Sequence, residues 1–275
     1  MSPLAPTAVA SVERVGADGA SCATTTLVAE EAPVALVYNG ISHAVMMATP
    51  ADLADFGIGF SLSEGIIERT DELFDIAVEQ VEEGIEVRMA IALDRFAALK
   101  DRRRNLTGRT GCGLCGVDSL KQAVRHPAPI AADTHFTIEA INRALAELPK
   151  HQVVNRATGA VHAAAWVEPS GAIALVREDV GRHNALDKLI GALARRKSDP
   201  AQGFTIITSR CSVEMVQKAA VFGMPLLVAI SAPTALAKRL AEECRLTLVA
   251  LARTDSLLVI SHPWRLERNS KRLAS

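Results

Sequence analysis

The chain reads as an α/β protein, a layer sandwich with a largely parallel sheet preceded by a smaller N-terminal α+β domain. Two observations carry this. Beyond residue 160, short apolar runs alternate with helical spacing: strands at 161–167 and 172–177, a helix at 184–196, a strand at 204–208, a helix at 213–222, a strand at 226–230, a helix at 234–244, and strands at 246–250 and 257–260. That alternation is the pattern of strands covered by helices. Before residue 125 the pattern is of hairpins. Apolar runs over 34–47 are split by Asn39-Gly40, the type I′ turn signal, and a second pair over 76–93 flanks Glu83-Gly84.

Between the hairpins, Thr49-Pro50 opens a helix, with Thr as N-cap and Pro in the first turn, and Leu53, Phe56, Phe60 and Ile66 follow at near-helical spacing. A basic helical stretch with Arg102, Arg103 and Arg104 leads into a glycine-rich segment. Residues 1–26 are rich in Ala, Ser, Thr and Gly with no apolar period and read as a flexible lead-in. The expected organisation is therefore a flexible segment 1–26, an α+β domain 27–125, and an α/β domain 126–275 that begins at the linker His126-Pro-Ala-Pro129.

Composition excludes several function classes. The 275 residues are 49% hydrophobic with a formal net charge of −1, which implies a soluble globular protein without a bias toward nucleic acid. Aromatics are only 4%, too few for a base-stacking surface. No apolar run approaches the roughly 20 residues of a membrane span, and no basic segment followed by an apolar one marks secretion. Five cysteines without a signal for export point to reduced thiols in the cytoplasm rather than a disulfide framework.

The chemistry concentrates in four places. Cys112 and Cys115 lie in Thr107-Gly-Arg-Thr-Gly-Cys-Gly-Leu-Cys-Gly116, too flexible to pack a core, with Arg109 nearby. Thiols beside cations ionise readily, and the thiolate is the nucleophile. One Cys-x-x-Cys supplies two of the four ligands a structural zinc needs, and Cys211, Cys244 or His126 would have to be recruited singly, so no stoichiometric metal is expected. A thioredoxin-like role is disfavoured by the position between two domains. The other three places are polar clusters after strands, at helix openings: Glu178-Asp-Val-Gly-Arg-His-Asn184, Thr208-Ser-Arg-Cys-Ser212, and Ser231-Ala-Pro-Thr234. Ligands of open α/β sheets bind beyond the carboxyl ends of strands, and helix N-termini attract anions. Each cluster alone is an ordinary cap; three at one sheet edge point to an anionic ligand held by Arg182, His183, Ser209, Arg210, Ser231 and Thr234. His162, alone on a strand, reads as structural.

These residues carry a family resemblance. Leu62-Ser-Glu-Gly-Ile66, Gly108-Arg-Thr-Gly-Cys-Gly-Leu-Cys-Gly116, Thr158-Gly with His162-Ala-Ala-Ala165, Glu178-Asp-Val-Gly-Arg-His-Asn-Ala-Leu-Asp-Lys188, Ser209-Arg-Cys-Ser-Val-Glu-Met-Val216 and Ser231-Ala-Pro-Thr234 resemble, in order, the formate dehydrogenase accessory sulfurtransferases of the FdhD family. The resemblance implies a cytoplasmic homodimer whose C-terminal half has a cytidine-deaminase-like fold. It implies that Cys112 accepts persulfide sulfur from a cysteine desulfurase, with Cys115 as companion. It further implies transfer to the bis(molybdopterin guanine dinucleotide) molybdenum cofactor before that cofactor enters formate dehydrogenase. Leu251, Ala252, Arg253, Thr254, Asp255 and Ser256 fall where the family binds the cofactor. Deaminase chemistry does not follow, because the matching helix starts carry Arg182-His183-Asn184 and Arg210-Cys211-Ser212 instead of a zinc set with its glutamate.

Overall fold

A computed structural model describes residues 4–107 and 125–267. Two sheets and a helix pair between them make the body. The smaller sheet has four strands in the order β4-β3-β6-β5, built from β3 (Ala32–Tyr38), β4 (Ile41–Ala48), β5 (Leu73–Val81) and β6 (Gly84–Ile91). Both hairpins form where the turn chemistry places them. Asn39 and Gly40 have φ of 45° and 81°, the left-handed pair a type I′ turn demands.

The larger sheet has six strands in the order β13-β12-β11-β10-β8-β9. Its members are β8 (His162–Val167), β9 (Ile173–Asp179), β10 (Phe204–Ile207), β11 (Leu226–Ala229), β12 (Thr247–Ala250) and β13 (Leu258–Ser261). Strand β10 pairs parallel with β11 and β11 with β12, whereas β8 is antiparallel to both β10 and β9, and β13 to β12. The sheet is thus mixed, and β9, β10, β11 and β12 share one direction. The helices α5 (Arg182–Arg195), α6 (Val213–Val221) and α7 (Ala235–Glu243) follow β9, β10 and β11.

Helix α1 (Leu53–Ser63) crosses α5 at unusually close range. A Cβ on Gly59 would overlap the carbonyl of Asp187, and one on Gly191 the carbonyl of Asp55. Only glycine lets the two backbones meet there. The buried core is continuous across this seam. It joins Val34, Leu36, Phe56 and Val87 to Leu186, Leu189, Met215 and Leu248. A second core on the other face of the large sheet contains Ile141, Leu148, Phe204 and Val249.

Buried charges flank the seam. Asp55 accepts from Arg177 Nη2 at 2.7 Å and from Arg195 Nη1 at 2.8 Å. At the other end, Lys218 Nζ lies 2.9 Å from both Asp187 and Glu64, and Ser63 Oγ donates to Asp187 at 2.6 Å. Burial works against the Lys218 ammonium, but Asp187 and Glu64 outweigh it and raise its pKa. A third buried pair, Lys188 Nζ to Asp179 at 2.6 Å, sits below the start of α5. Asp179 also accepts the N–H of Thr49 and of Gly181 and the Nδ2 of Asn184.

Several sequence expectations change. Residues 1–26 are not a structureless lead-in: β1 (Thr7–Val15) and β2 (Ser21–Ala29) form an antiparallel hairpin. It is exposed on both faces, so it has no hydrophobic alternation to betray it. Thr49 does not cap α1. Its hydroxyl accepts from Val180 N–H at 3.1 Å, and Asp52, at φ 54°, occupies the N-cap position. Helix α2 (Leu93–Thr107) occupies the basic stretch. Two helices, α3 (Ile138–His151) and α4 (Val153–Thr158), fill a stretch to which spacing assigns nothing. Two short strands, β7 (Phe136–Thr137) and β14 (Leu266–Glu267), pair at the periphery. No helix among the described residues is long and apolar enough to cross a membrane.

Two substitutions test the seam. Gly59→Ala forces a methyl into the Asp187 backbone and is expected to cost at least about 2 kcal/mol, as overpacking does. Asp179→Ala strands the Lys188 ammonium and is expected to cost roughly 3–5 kcal/mol. Denaturant unfolding measures both; wild-type stability in Gly59→Ala would refute the close-packed crossing.

Candidate functional site

The shared direction of β9, β10, β11 and β12 puts their carboxyl ends on one edge of the large sheet. Every described cluster singled out from the sequence opens there. Backbone bonds stitch the segments together. Thr208 N–H donates to Ala163 O, and the Thr208 hydroxyl accepts from Ala163 N–H at 2.9 Å, so the start of β8 lies against the end of β10. Cys211 N–H donates to Ala232 O and Thr234 N–H to Cys211 O, which joins the second cluster to the third. Leu251 N–H donates to Ser231 O at 3.2 Å, which adds the segment after β12.

The edge holds buried polar atoms that lack partners. Arg182 Nε and His183 Nε2 are shielded from solvent yet make no hydrogen bond to any described residue. An unpaired buried donor or acceptor costs about 1–3 kcal/mol, and two in the first turn of α5 are suited to an anionic ligand. Burial, then the neighbouring Arg182 and Lys218, lower the pKa of His183; burial and Arg182 do the same to His162. Both imidazoles are therefore neutral at pH 7. His162, at the start of β8, belongs to this edge, which its isolated position in the sequence does not reveal.

Other residues serve the fold. The Thr234 hydroxyl accepts from Ala237 N–H at 3.1 Å and caps α7, so its role is the ordinary one. Ser209 Oγ donates to Arg210 O at 3.0 Å, while Arg210 is exposed. In the segment after β12, the Arg253 guanidinium donates to the carbonyls of Ile230 and Ala252. Ser256 Oγ donates to Asp255 at 3.1 Å, Thr254 is exposed, and Ala252 is buried. Cys112, Cys115 and Arg109 lie outside the described residues. Arg125, the first described residue after them, is anchored: its N–H donates to Gln217 Oε1 at 3.1 Å and its guanidinium to Ser63 O and Glu64. Of the other three cysteines, Cys211 and Cys244 are buried, and burial pushes their thiols up to about 12 and about 11. Such thiols are inert at neutral pH. Cys22 is exposed on β2.

Comparison with known proteins shows the family and the fold. The profile of the FdhD/NarQ family matches residues 29–267. A protein from Cupriavidus necator named sulfur carrier protein FdhD is 55% identical over 243 residues, covering 88% of this chain and 84% of the relative. One of the same name from Xanthomonas campestris pv. campestris is 50% identical over 266 residues, covering 97% and 95%. The crystal structure of a proposed formate dehydrogenase accessory protein from Desulfotalea psychrophila superposes with a TM-score of 0.75 at 24% identity, over 95% of this chain and 99% of that one.

A pH titration tests the electrostatics of the edge. Because folding disfavours the imidazolium forms, the unfolded chain binds more protons, and these two histidines remove stability as pH falls through about 6.5. By NMR, His162 and His183 are expected to titrate below their ordinary value of 6.5; midpoints above it would contradict the burial described. The match over residues 29–267 and the relatives at 50% and 55% identity identify the chain as a member of the FdhD/NarQ family.

Proposed function

We propose that this protein is a sulfur carrier for formate dehydrogenase maturation. In this reading Cys112 takes sulfur from a cysteine desulfurase and passes it to the bis(molybdopterin guanine dinucleotide) molybdenum cofactor, which is the substrate held at the sheet edge. The observation that carries the reading is that relatives sharing at least half of their residues with this chain, over most of its length, bear the name sulfur carrier. The distribution of thiols supports it. Cys211 and Cys244 are buried and protonated, which leaves the Cys112–Cys115 pair as the reactive one with a built sequence context.

The loading step is a thiol–disulfide-type exchange. The Cys112 thiolate attacks the terminal sulfur of the donor's persulfide. The donor's S–S bond breaks, the donor cysteine leaves as a thiolate with the electron pair, and a new S–S bond stands on Cys112. Nothing is oxidised or reduced overall. Cys115 assists as the neighbouring thiol. At the edge, the unpartnered atoms of Arg182 and His183 fit the oxygens of a pyrophosphate, and Arg210 adds an exposed cation. The segment from Leu251 to Ser256 completes the cofactor-binding surface, with Ser209 and Ser231 contributing hydroxyls. The same reading makes the protein a cytoplasmic homodimer and gives its C-terminal half the layering of the cytidine deaminases, without their zinc chemistry.

The competing function is a chaperone that holds the cofactor and uses its cysteines only for docking. Complementation separates them. In cells lacking their own accessory protein, Cys112→Ala is expected to reduce formate dehydrogenase activity to background, while Cys211→Ala and Cys244→Ala retain it at whatever level their stability allows. Full activity with Cys112→Ala would refute the sulfur carrier and favour the chaperone.

A further inference from the structure

The hairpin of β1 and β2 stands apart from the rest of the molecule. None of its residues belongs to either buried core. Helix α4 packs against β2, while the outer edge of β1 pairs with no described strand. Val9 and Val15 are 72% and 63% exposed, and Leu27, paired across the hairpin with Val9, is exposed beside it. A two-stranded hairpin alone is marginally stable in water. A long strand edge with open N–H and C=O groups is a template for another strand.

The ladder fixes which groups face outward. Gly16 N–H donates to Ala20 O at 2.7 Å and Glu30 N–H to Pro6 O at 2.9 Å, one bond at each end of the hairpin. Hydrogen-bonded pairs alternate along an antiparallel ladder. The even-numbered residues of β1 therefore bond to β2, and Thr7, Val9, Ser11, Glu13 and Val15 turn their N–H and C=O groups away from it. This edge carries no proline, no lysine and no bulge, the devices that keep edge strands apart. Its charged residues, Glu13 and Arg14, both lie toward the turn.

We propose that this edge pairs with the same edge of a second copy, antiparallel about a two-fold axis at Ser11. The proposal rests on the reading of the protein as a homodimer and names its surface. A two-fold axis sets one outward-facing residue opposite its own copy. With Ser11 at the centre, Thr7 meets Val15 of the partner subunit and Val9 meets Glu13 of the partner subunit, so β1 is paired along its whole length. Centred on Glu13, two carboxylates would oppose each other, which destabilises a cross-strand pair. Centred on Val9, Glu13 and Val15 would run past the end of the other strand. Val9, Val15 and Leu27 lie on one face of the hairpin, and the joined four strands gather both sets into a single apolar face. The edge is its own complement in length, charge and register, and the two-fold pairing leaves neither β1 open.

Sedimentation velocity on the full chain tests this, with circular dichroism to verify each variant. Wild type is expected to sediment as a dimer. Ser11→Pro removes an outward N–H, spares the bonds to β2, and is expected to weaken the dimer at least about tenfold. Cys22→Ser, on the strand away from the interface, is expected to leave it unchanged. A second measurement uses Ser11→Cys in a chain with Cys22, Cys112 and Cys115 changed to Ser. The axis puts the two copies of position 11 about 5.5 Å apart, so a short thiol-reactive cross-linker is expected to join them there, as mapped by peptide mass spectrometry. Should Ser11→Pro fail to fold, the cross-link decides alone. A dimer that does not link at position 11, or that a folded Ser11→Pro variant leaves intact, would overturn the β1 interface and leave the homodimer standing. A monomeric wild type would overturn both.

Discussion

The close crossing of α1 and α5 is the constraint on which the rest of the structure depends. Two glycines, Gly59 and Gly191, let the helix backbones touch. Because they touch, the small sheet that α1 covers and the large sheet that α5 covers share one core. Charges that could not otherwise be buried are then shared across the seam. Asp55 is neutralised from β9 and from the end of α5, and Glu64, at the end of α1, from Lys218 of α6. Separating the halves would strand these groups, so the seam is held by shape and by the cost of unpaired buried charge.

This gives the most specific string of the sequence, Glu178 to Lys188, a physical meaning. Asp179, Asn184, Asp187 and Lys188 do not reach toward a ligand. They tie the start of α5 to Thr49, Met47 and Lys218. Glu178 caps α4 through the N–H groups of Val154 and Asn155. Only Arg182 and His183 keep buried atoms unpartnered. The scaffold residues of the string thus aim its two functional candidates, and a string that looks catalytic as a block divides into support and site.

What was legible in the sequence follows how local each signal is. Asn39-Gly40 and the strand–helix alternation are decided by neighbouring residues, and the elements form where spacing puts them. The helix-opening clusters were legible because the strands before them, β9, β10 and β11, run one way in an otherwise mixed sheet and gather their ends at one edge. The exposed hairpin of β1 and β2 was not, since Ser, Thr and Ala facing solvent on both sides leave no period. The bond that Thr49 makes instead of capping α1 was hidden because its partner, Val180, lies far along the chain. The inertness of Cys211 and Cys244 follows from burial, which cysteine spacing does not encode.

The burial of two thiols and the family match leave the central claim resting on one atom, the Cys112 sulfur. Intact-protein and peptide mass spectrometry after incubation with a cysteine desulfurase and cysteine tests it most directly. The account predicts the added mass of one sulfur atom, localised to Cys112, removed by reductant and absent from Cys112→Ala. A protein that gains no sulfur, or gains it on Cys22 with Cys112 unmodified, would contradict it.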